Sequence, residues 1–320
     1  MNLSLVIPVY NEQDNLPFLF EAVQKTMAEI NQSWEVILVD DGSRDQTLSV
    51  LQQYAEKDPA HIRVISFRRN FGQTAAIAAG LDYAQGKIII LMDADMQNDP
   101  ADIPMMLAKL DEGYDLVSGW RKERKDDALT RNLPSMLANG LISRVTGVHL
   151  HDYGCTLKVY RRDVLEGFRL YGEMHRFIPV YANSVGANIT EMPVRHYPRK
   201  FGKTKYGLER TAKVILDLFT VKFLVAFASK PIYLFGGTGG LLMIASSIIM
   251  LYLLVRRIFF FVGVTGSPLF QVSAMFFILG FQSMLMGLIA ELLVRTYHES
   301  QRKPTYTIRT TVNLEQDPRD

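Results

Sequence analysis

KIIILMDADMQNDP, residues 87–100, carries an uninterrupted apolar run from Ile88 to Met92 straight into Asp93-Ala94-Asp95. An apolar run rich in β-branched residues reads as a strand buried on both faces. Two carboxylates spaced i, i+2 at its end lie at the mouth of a sheet, where open α/β sheets place their ligands. Where the chain leaves its extended form, both can converge on one hard cation. Mg²⁺ and Mn²⁺ take oxygen ligands and in such sites commonly bridge to substrate phosphates.

Outward from this stretch, strands and helices alternate. Residues 3–9 form a short apolar strand leading into Tyr10-Asn11-Glu12, and Leu16, Leu19, Phe20, Val23 and Met27 follow helical spacing. Residues 35–39 (EVILV) are a second strand, ending in Asp40-Asp41-Gly42-Ser43, with Ser43 or Asp45 placed to cap the next helix. Residues 62–67 are a third, followed by the turn Asn70-Phe71-Gly72-Gln73 and a small-residue helix over 74–84. After residue 100 come a helix from about Asp102 and a fifth strand over 114–118. This order predicts a parallel, doubly wound sheet. The polar cluster after each strand then lies along one side of the sheet, where a nucleotide should sit. Neither G-x-G-x-x-G nor G-x-x-x-x-G-K-[ST] occurs, so carboxylates and a metal must do what those loops do elsewhere. Further on, 124–131 reads as a charged loop, 133–145 as a helix, 153–160 and 189–194 as strands, and 195–205 as a basic turn.

Composition narrows the function classes. A net charge of +2 over 320 residues gives no single-sign field, which excludes a nucleic-acid partner recognised by bulk charge. The one cysteine, Cys155, excludes an internal disulfide and is expected to be a packing residue. His149, His151 and His175 lack zinc-ligand spacing. The first residues have no basic stretch ahead of an apolar one, so no signal peptide is expected.

From residue 203 the pattern changes. Residues 203–230 place apolar residues on one helical face and Arg210, Lys213 and Asp217 on the other, as in a helix lying in a membrane interface. Residues 231–255 and 269–294 are each long enough to cross a bilayer and nearly uncharged, with Arg256-Arg257 expected in the loop between them. Lysines and arginines at the outer flanks place both termini in the cytoplasm of a multi-pass protein of the inner or plasma membrane. Gly236-Gly237 and Gly239-Gly240 allow close helix packing, within the protein or between subunits of a homo-oligomer. Residues 305–311 alternate like a strand that could pair with a domain edge or a neighbouring chain. The expected organisation is a cytoplasmic domain over 1–202, interfacial helices over 203–230, a transmembrane hairpin over 231–294 and a cytoplasmic tail over 295–320.

Five motifs occur in order: V-I-P-V-Y-N-E at 6–12, D-D-G-S-x-D-x-T at 40–47, N-x-G-Q at 70–73, D-A-D-x-Q at 93–97 and R-K-x-G-x-T-K at 199–205. Together they resemble the GT-A family 2 glycosyltransferases, and more closely the polyprenyl-phosphate hexosyltransferases, including the two-span bactoprenol glucosyl transferases and dolichol-phosphate mannose synthase. The resemblance implies an α/β GT-A domain followed by an interfacial helix and two spans. It also implies a divalent metal, a nucleotide-sugar donor and a polyprenyl-phosphate acceptor such as undecaprenyl phosphate. By position, Pro8, Tyr10, Glu12, Asp40 and Gln73 would line the nucleotide pocket, with Ala94 between the metal carboxylates. Asp93, Asp95 and Gln97 would hold the metal and diphosphate. Arg121, Arg131, Ser135, Arg199 and Lys205 would meet the acceptor phosphate or the donor diphosphate.

The resemblance implies inversion at the sugar. A phosphate monoester has a second pKa of about 6, so the acceptor already carries a nucleophilic anion and a strong base is dispensable. Asp152 is the candidate if a base exists. The expected hexose is glucose from UDP-glucose, on the resemblance alone; GDP-mannose and a modified pentose are the alternatives. A processive synthase would carry Q-x-x-R-W, which is absent. A nucleotide-binding scaffold for a lipid-sugar flippase is the non-enzymatic alternative.

Overall fold

The computed structural model describes residues 1–122, 139–140, 142–144, 146–166, 170, 174–198, 232–300 and 306–314. The interfacial helix expected over 203–230 lies outside them, as do Arg131, Ser135, Arg199 and Lys205.

Compactness divides the chain into two units. One falls within Met1–Val221 and Pro304–Asp320, and the other within Lys222–Lys303. The first unit is built on an eight-stranded sheet. Its first four strands are β1 (Leu3–Val9), β2 (Trp34–Asp40), β3 (Ile62–Phe67) and β4 (Ile88–Leu91). The others are β5 (Leu116–Trp120), β6 (Lys158–Arg161), β7 (Ile189–Pro193) and β8 (Ile308–Val312). The order across the sheet is β7-β5-β6-β4-β1-β2-β3-β8. β4, β1, β2 and β3 run parallel, in the register Val6 opposite Ile37 and Leu91. The sheet is mostly parallel rather than wholly so: β6 is antiparallel to both β4 and β5, and β8 is antiparallel to β3.

Helices α1 (Leu16–Glu29), α2 (Thr47–Lys57), α3 (Gln73–Tyr83) and α4 (Ile103–Asp111) connect the strands, and α5 (Ile178–Ser184) precedes β7. The apolar stripe of α1 is the one its spacing predicts: Leu16, Leu19, Phe20, Val23 and Met27 are all buried. α3 is made of small residues because it lies against β1 at close range. A Cβ on Gly80 would come within 2.2 Å of Val6 Cγ1. The described residues between Asn139 and Thr146 are helical.

The second unit is a pair of long helices, α6 (Ile232–Phe260) and α7 (Pro268–Ser300). The helices outrun the expected spans, and Arg256 and Arg257 lie in the last turns of α6 rather than in the loop. Small residues set their contact. Gly239 and Gly280 meet backbone to backbone, with built Cβ positions 2.6–2.7 Å from the opposite carbonyls. Ser246 and Ser273 each donate to the other's carbonyl oxygen, at 2.8 and 3.0 Å. Only 17% of the apolar window in each helix is buried, and Leu241, Ile244, Ile248 and Leu251 stand more than half exposed. Core helices of a water-soluble domain would bury such faces, so these two are candidate membrane spans.

Candidate active site

The carboxyl ends of β1, β2 and β4 carry the site, and their loops are stitched together by short polar contacts. Asn11, at φ +50°, donates its amide to Ser43 Oγ (2.9 Å) and accepts from the Arg44 amide on Oδ1 (2.8 Å). The Glu12 amide donates to Thr47 Oγ1 at 3.0 Å, and Glu12 Oε2 accepts from Asn15 Nδ2 at 2.6 Å. Asp40, buried at the end of β2, accepts from the Ser43 amide (3.0 Å) and from Ser66 Oγ (2.8 Å). Asp45 accepts from the Thr47 amide at 3.0 Å in a turn just ahead of α2, whose N-cap position is taken by Gln46, without a side-chain bond, rather than by the expected Ser43 or Asp45. Pro8, half-buried Tyr10 and Glu12 thus border the strand ends with Asp40.

Asp41 reaches across to the next motif. Its two oxygens accept from the amides of Phe71 (2.6 Å) and Gly72 (2.9 Å). Gly42 is required here: it sits at φ +68°, and a Cβ would lie 2.5 Å from the Arg69 carbonyl carbon. Burial pushes the Asp41 carboxyl up to about 6, against the pull of the two amides. The turn so held presents Gln73, first residue of α3, whose Nε2 donates to Asp93 Oδ1 at 2.7 Å. Gln73, expected in the nucleotide pocket, is therefore seated on Asp93, the first of the two carboxylates.

Beyond β4 the chain turns sharply. Met96 takes φ +58°, and Asp95, 6% exposed, accepts the Gln97 amide at 3.1 Å. Ala94 is buried between the two carboxylates. Burial raises the Asp93 carboxyl, and the neighbouring Asp95 charge raises it further; Thr156, Arg121 and Lys158 work the other way. Two carboxylates that repel one another, Asp95 buried and Asp93 half-buried, suit a cation held between them. No group of three or more His, Cys, Asp or Glu side chains that could cage a metal occurs among the described residues. A hard cation bound by two carboxylates, with its remaining positions left to substrate phosphate and water, is the arrangement typical of Mg²⁺, so the donor set fits.

Arg121, just past β5, pairs with Asp152 through two bonds, Nε to Oδ2 at 2.7 Å and Nη2 to Oδ1 at 2.9 Å. The Gly154 amide donates to the same Oδ1 at 3.0 Å. Burial works against the guanidinium charge, and the Asp152 pair more than offsets it, raising its pKa. Both Asp152 oxygens are engaged, an arrangement that suits holding Arg121 better than taking a proton.

The loop after Asp95 is tied to the strand that leads toward the basic motif. Asn98 bridges His196, the Tyr197 amide donates to Gln97 O (2.9 Å), and Arg195 pairs with Asp102 and Asp99. Residues 195–197 therefore lie beside the carboxylate loop.

A cleft on the α3 side of the sheet runs beside Asp93, lined among others by Pro8, Thr156, Lys158, His175 and Arg176. Lys158 is 3% exposed, donates to the carbonyls of Tyr153 and Cys155, and is lowered in pKa by burial. Sequence reasoning passed over it, although alternation along β6 puts it on the same face as fully buried Tyr160, where a charge is costly. His175 Nδ1 meets Thr74 Oγ1 at 2.7 Å and so links this segment to α3. Cys155 is fully buried and its thiol pKa is raised by burial, as befits a packing residue.

Residues 4–168 match the sequence pattern of glycosyl transferase family 2. The chain is 42% identical over 312 residues to a dodecaprenyl-phosphate galacturonate synthase of Rhizobium johnstonii, covering 97% of this chain and 92% of that protein. It is 38% identical over 311 residues to an undecaprenyl-phosphate 4-deoxy-4-formamido-L-arabinose transferase of Pseudomonas aeruginosa, covering 97% and 90%. Among solved structures, mannosyl-3-phosphoglycerate synthase of Rubrobacter xylanophilus shares the fold, with a TM-score of 0.51 and 15% identity over 70% of this chain and 74% of that one.

Proposed function

The chain belongs to glycosyl transferase family 2, and from that membership we propose that it moves a sugar from a nucleotide diphosphate onto a polyprenyl phosphate at the cytoplasmic face of a membrane. The observation that carries this reading is the Asp93–Asp95 pair just past β4, Asp95 buried and Asp93 half-buried, with an Asp152-locked guanidinium nearby in a chain that also holds two candidate spans. Galacturonate and formamido-arabinose stand in the names of the two relatives above, and both names place the acceptor among polyprenyl phosphates. Glucose from UDP-glucose has only the motif resemblance behind it. We therefore rank a uronic-acid or modified-pentose donor ahead of UDP-glucose, with GDP-mannose behind them.

The chemistry follows from the groups present. Breaking the anomeric C–O bond leaves charge on the departing diphosphate. A divalent cation, when bound, would supply positive charge there, held by Asp93 and Asp95 with Gln97 as the proposed third ligand. Gln73 fixes the orientation of Asp93. Asp152 holds Arg121 in one orientation, ready for an anionic oxygen of the acceptor phosphate or the diphosphate. The acceptor phosphate brings its own anion, so Asp152 serves as a positioning residue with no proton to take. Arg131, Ser135, Arg199 and Lys205 are proposed to complete the phosphate contacts.

The test is transfer of labelled sugar from a panel of nucleotide sugars to a short-chain polyprenyl phosphate, with and without chelator. Transfer that persists without metal, or in Asp95→Ala, would overturn the metal-diphosphate part. A binding-only scaffold would turn over none of the panel while still retaining nucleotide.

A further inference from the structure

The segment that follows the second long helix returns to the first unit and packs against the motif that aims Gln73. β8 pairs antiparallel with β3, Val64 opposite Val312 and Phe67 opposite Ile308, and the Arg68 amide donates to Thr307 O at 3.1 Å. Asn313 Nδ2 donates to the carbonyls of Ala55 (2.8 Å) and Ile62 (2.9 Å), pinning the far end of the strand. At the near end Tyr306 is 4% exposed. Its ring stacks on Phe67 at 5.1 Å, and its hydroxyl donates to Asp82 Oδ2, on α3, at 2.7 Å.

These contacts continue to the site without a gap. Phe67 meets Phe71 edge to face at 5.6 Å, and the Arg69 guanidinium covers the other ring at 4.0 Å. Phe71 and Gly72 give their amides to Asp41, and Gln73 gives its side chain to Asp93. Tyr306 thus holds both sides of the Phe71–Gln73 turn: β3, which enters it, and α3, which leaves it.

We infer that Tyr306 and the β8 strand are positioning elements of the donor site, acting through Phe67 and Phe71 to hold Gln73 on Asp93. The inference rests on the donor-site reading above. It gives the tail a role in substrate affinity beyond the general stability of the sheet, and it locates that role at one residue.

The experiment uses the full chain in detergent or vesicles. Tyr306→Ala should raise the KM for the nucleotide sugar about twofold to thirtyfold, the range expected for a residue within a coupled network. The KM for polyprenyl phosphate should not change. Tyr306→Phe keeps the ring stack and should recover most of the donor affinity. In a Gln73→Ala background, Tyr306→Ala should add little, because its effect passes through the bond already removed. Additive effects in that cycle, or equal changes in both KM values, would overturn the inference. Amide hydrogen exchange provides a readout independent of turnover. Tyr306→Ala should speed exchange at the Phe71 and Gly72 amides and leave the amides of β1 unchanged. Unchanged exchange at Phe71 and Gly72 would overturn the inference even in an active enzyme. If the wild-type protein turns over no nucleotide sugar, the donor-site reading falls, and exchange at the turn still decides the structural half.

Discussion

At the scale of single residues, the site is a set of polar groups each holding the next. Asp95→Ala leaves Asp93 alone at the strand end, and a loss of about 10²-fold or more in kcat is expected, by analogy with removing one electrostatic stabiliser of a charged transition state; a steady-state transfer assay reads it. Arg121→Lys keeps the charge but cannot reproduce the two-bond pair with Asp152, so it should behave nearly as poorly as Arg121→Ala. Comparing the two variants in that assay checks it, and a lysine variant with full activity would show that charge alone suffices. Asp41 gives a pH dependence. Its folded carboxyl holds a proton up to about pH 6, whereas the unfolded chain releases it near 3.8. Folding therefore takes up a proton between these values, and this residue's contribution to stability falls as pH rises from about 4 to 6. Asp41→Asn should flatten that part of the curve, measured by denaturation midpoints from the fluorescence of Trp34 and Trp120, the two tryptophans of the chain. The motifs named most of the residues around the strand ends. They did not reveal who pairs with whom: Gln73 with Asp93, or Asp152 with Arg121. Such pairings join residues 20 and 31 positions apart, which no local pattern encodes.

At the scale of elements, strand positions were legible wherever an apolar run was long and bounded, as in β1 to β4. The helical crossovers also gave the parallel direction of these four, and direction was not legible for β6 and β8, which run against their neighbours. β6, only Lys158–Arg161, slips between β4 and β5 and runs against both, and the sequence shows only a short apolar stretch after a loop. The turns were readable as turns, but their tolerances come from neighbours distant in the chain. Gly42→Ala meets both a left-handed backbone and the Arg69 main chain, and should cost at least about 1–2 kcal/mol from conformation alone. A shift in the urea midpoint measures it, with Gly113→Ala as comparison, since Gly113 shares the positive φ (+104°) but has nothing within 4 Å of a built Cβ. The difference between the two isolates the contact with Arg69.

At the scale of the molecule, the apolar composition of the two long helices was plain in the sequence, and their mutual contact through Gly239, Gly280, Ser246 and Ser273 was only partly so. If both helices cross a bilayer, alkaline washing should leave the protein in the membrane pellet, while a variant lacking 232–300 should be released; recovery of the full chain in the wash supernatant would remove the spans. The tail was readable as a strand but not as belonging to β3, since the pairing spans most of the chain. That pairing also fixes an order in time. Translation delivers β8 after α7, so the sheet beside Gln73 stays one strand short until both apolar helices have left the ribosome. The first seven strands can begin to fold while the chain is still growing, yet the Tyr306 contact has to wait for the two apolar helices to be made. A nascent enzyme stalled before residue 306 would therefore lack the last strand of its sheet, which ties the finishing of the catalytic unit to the synthesis of the two candidate spans.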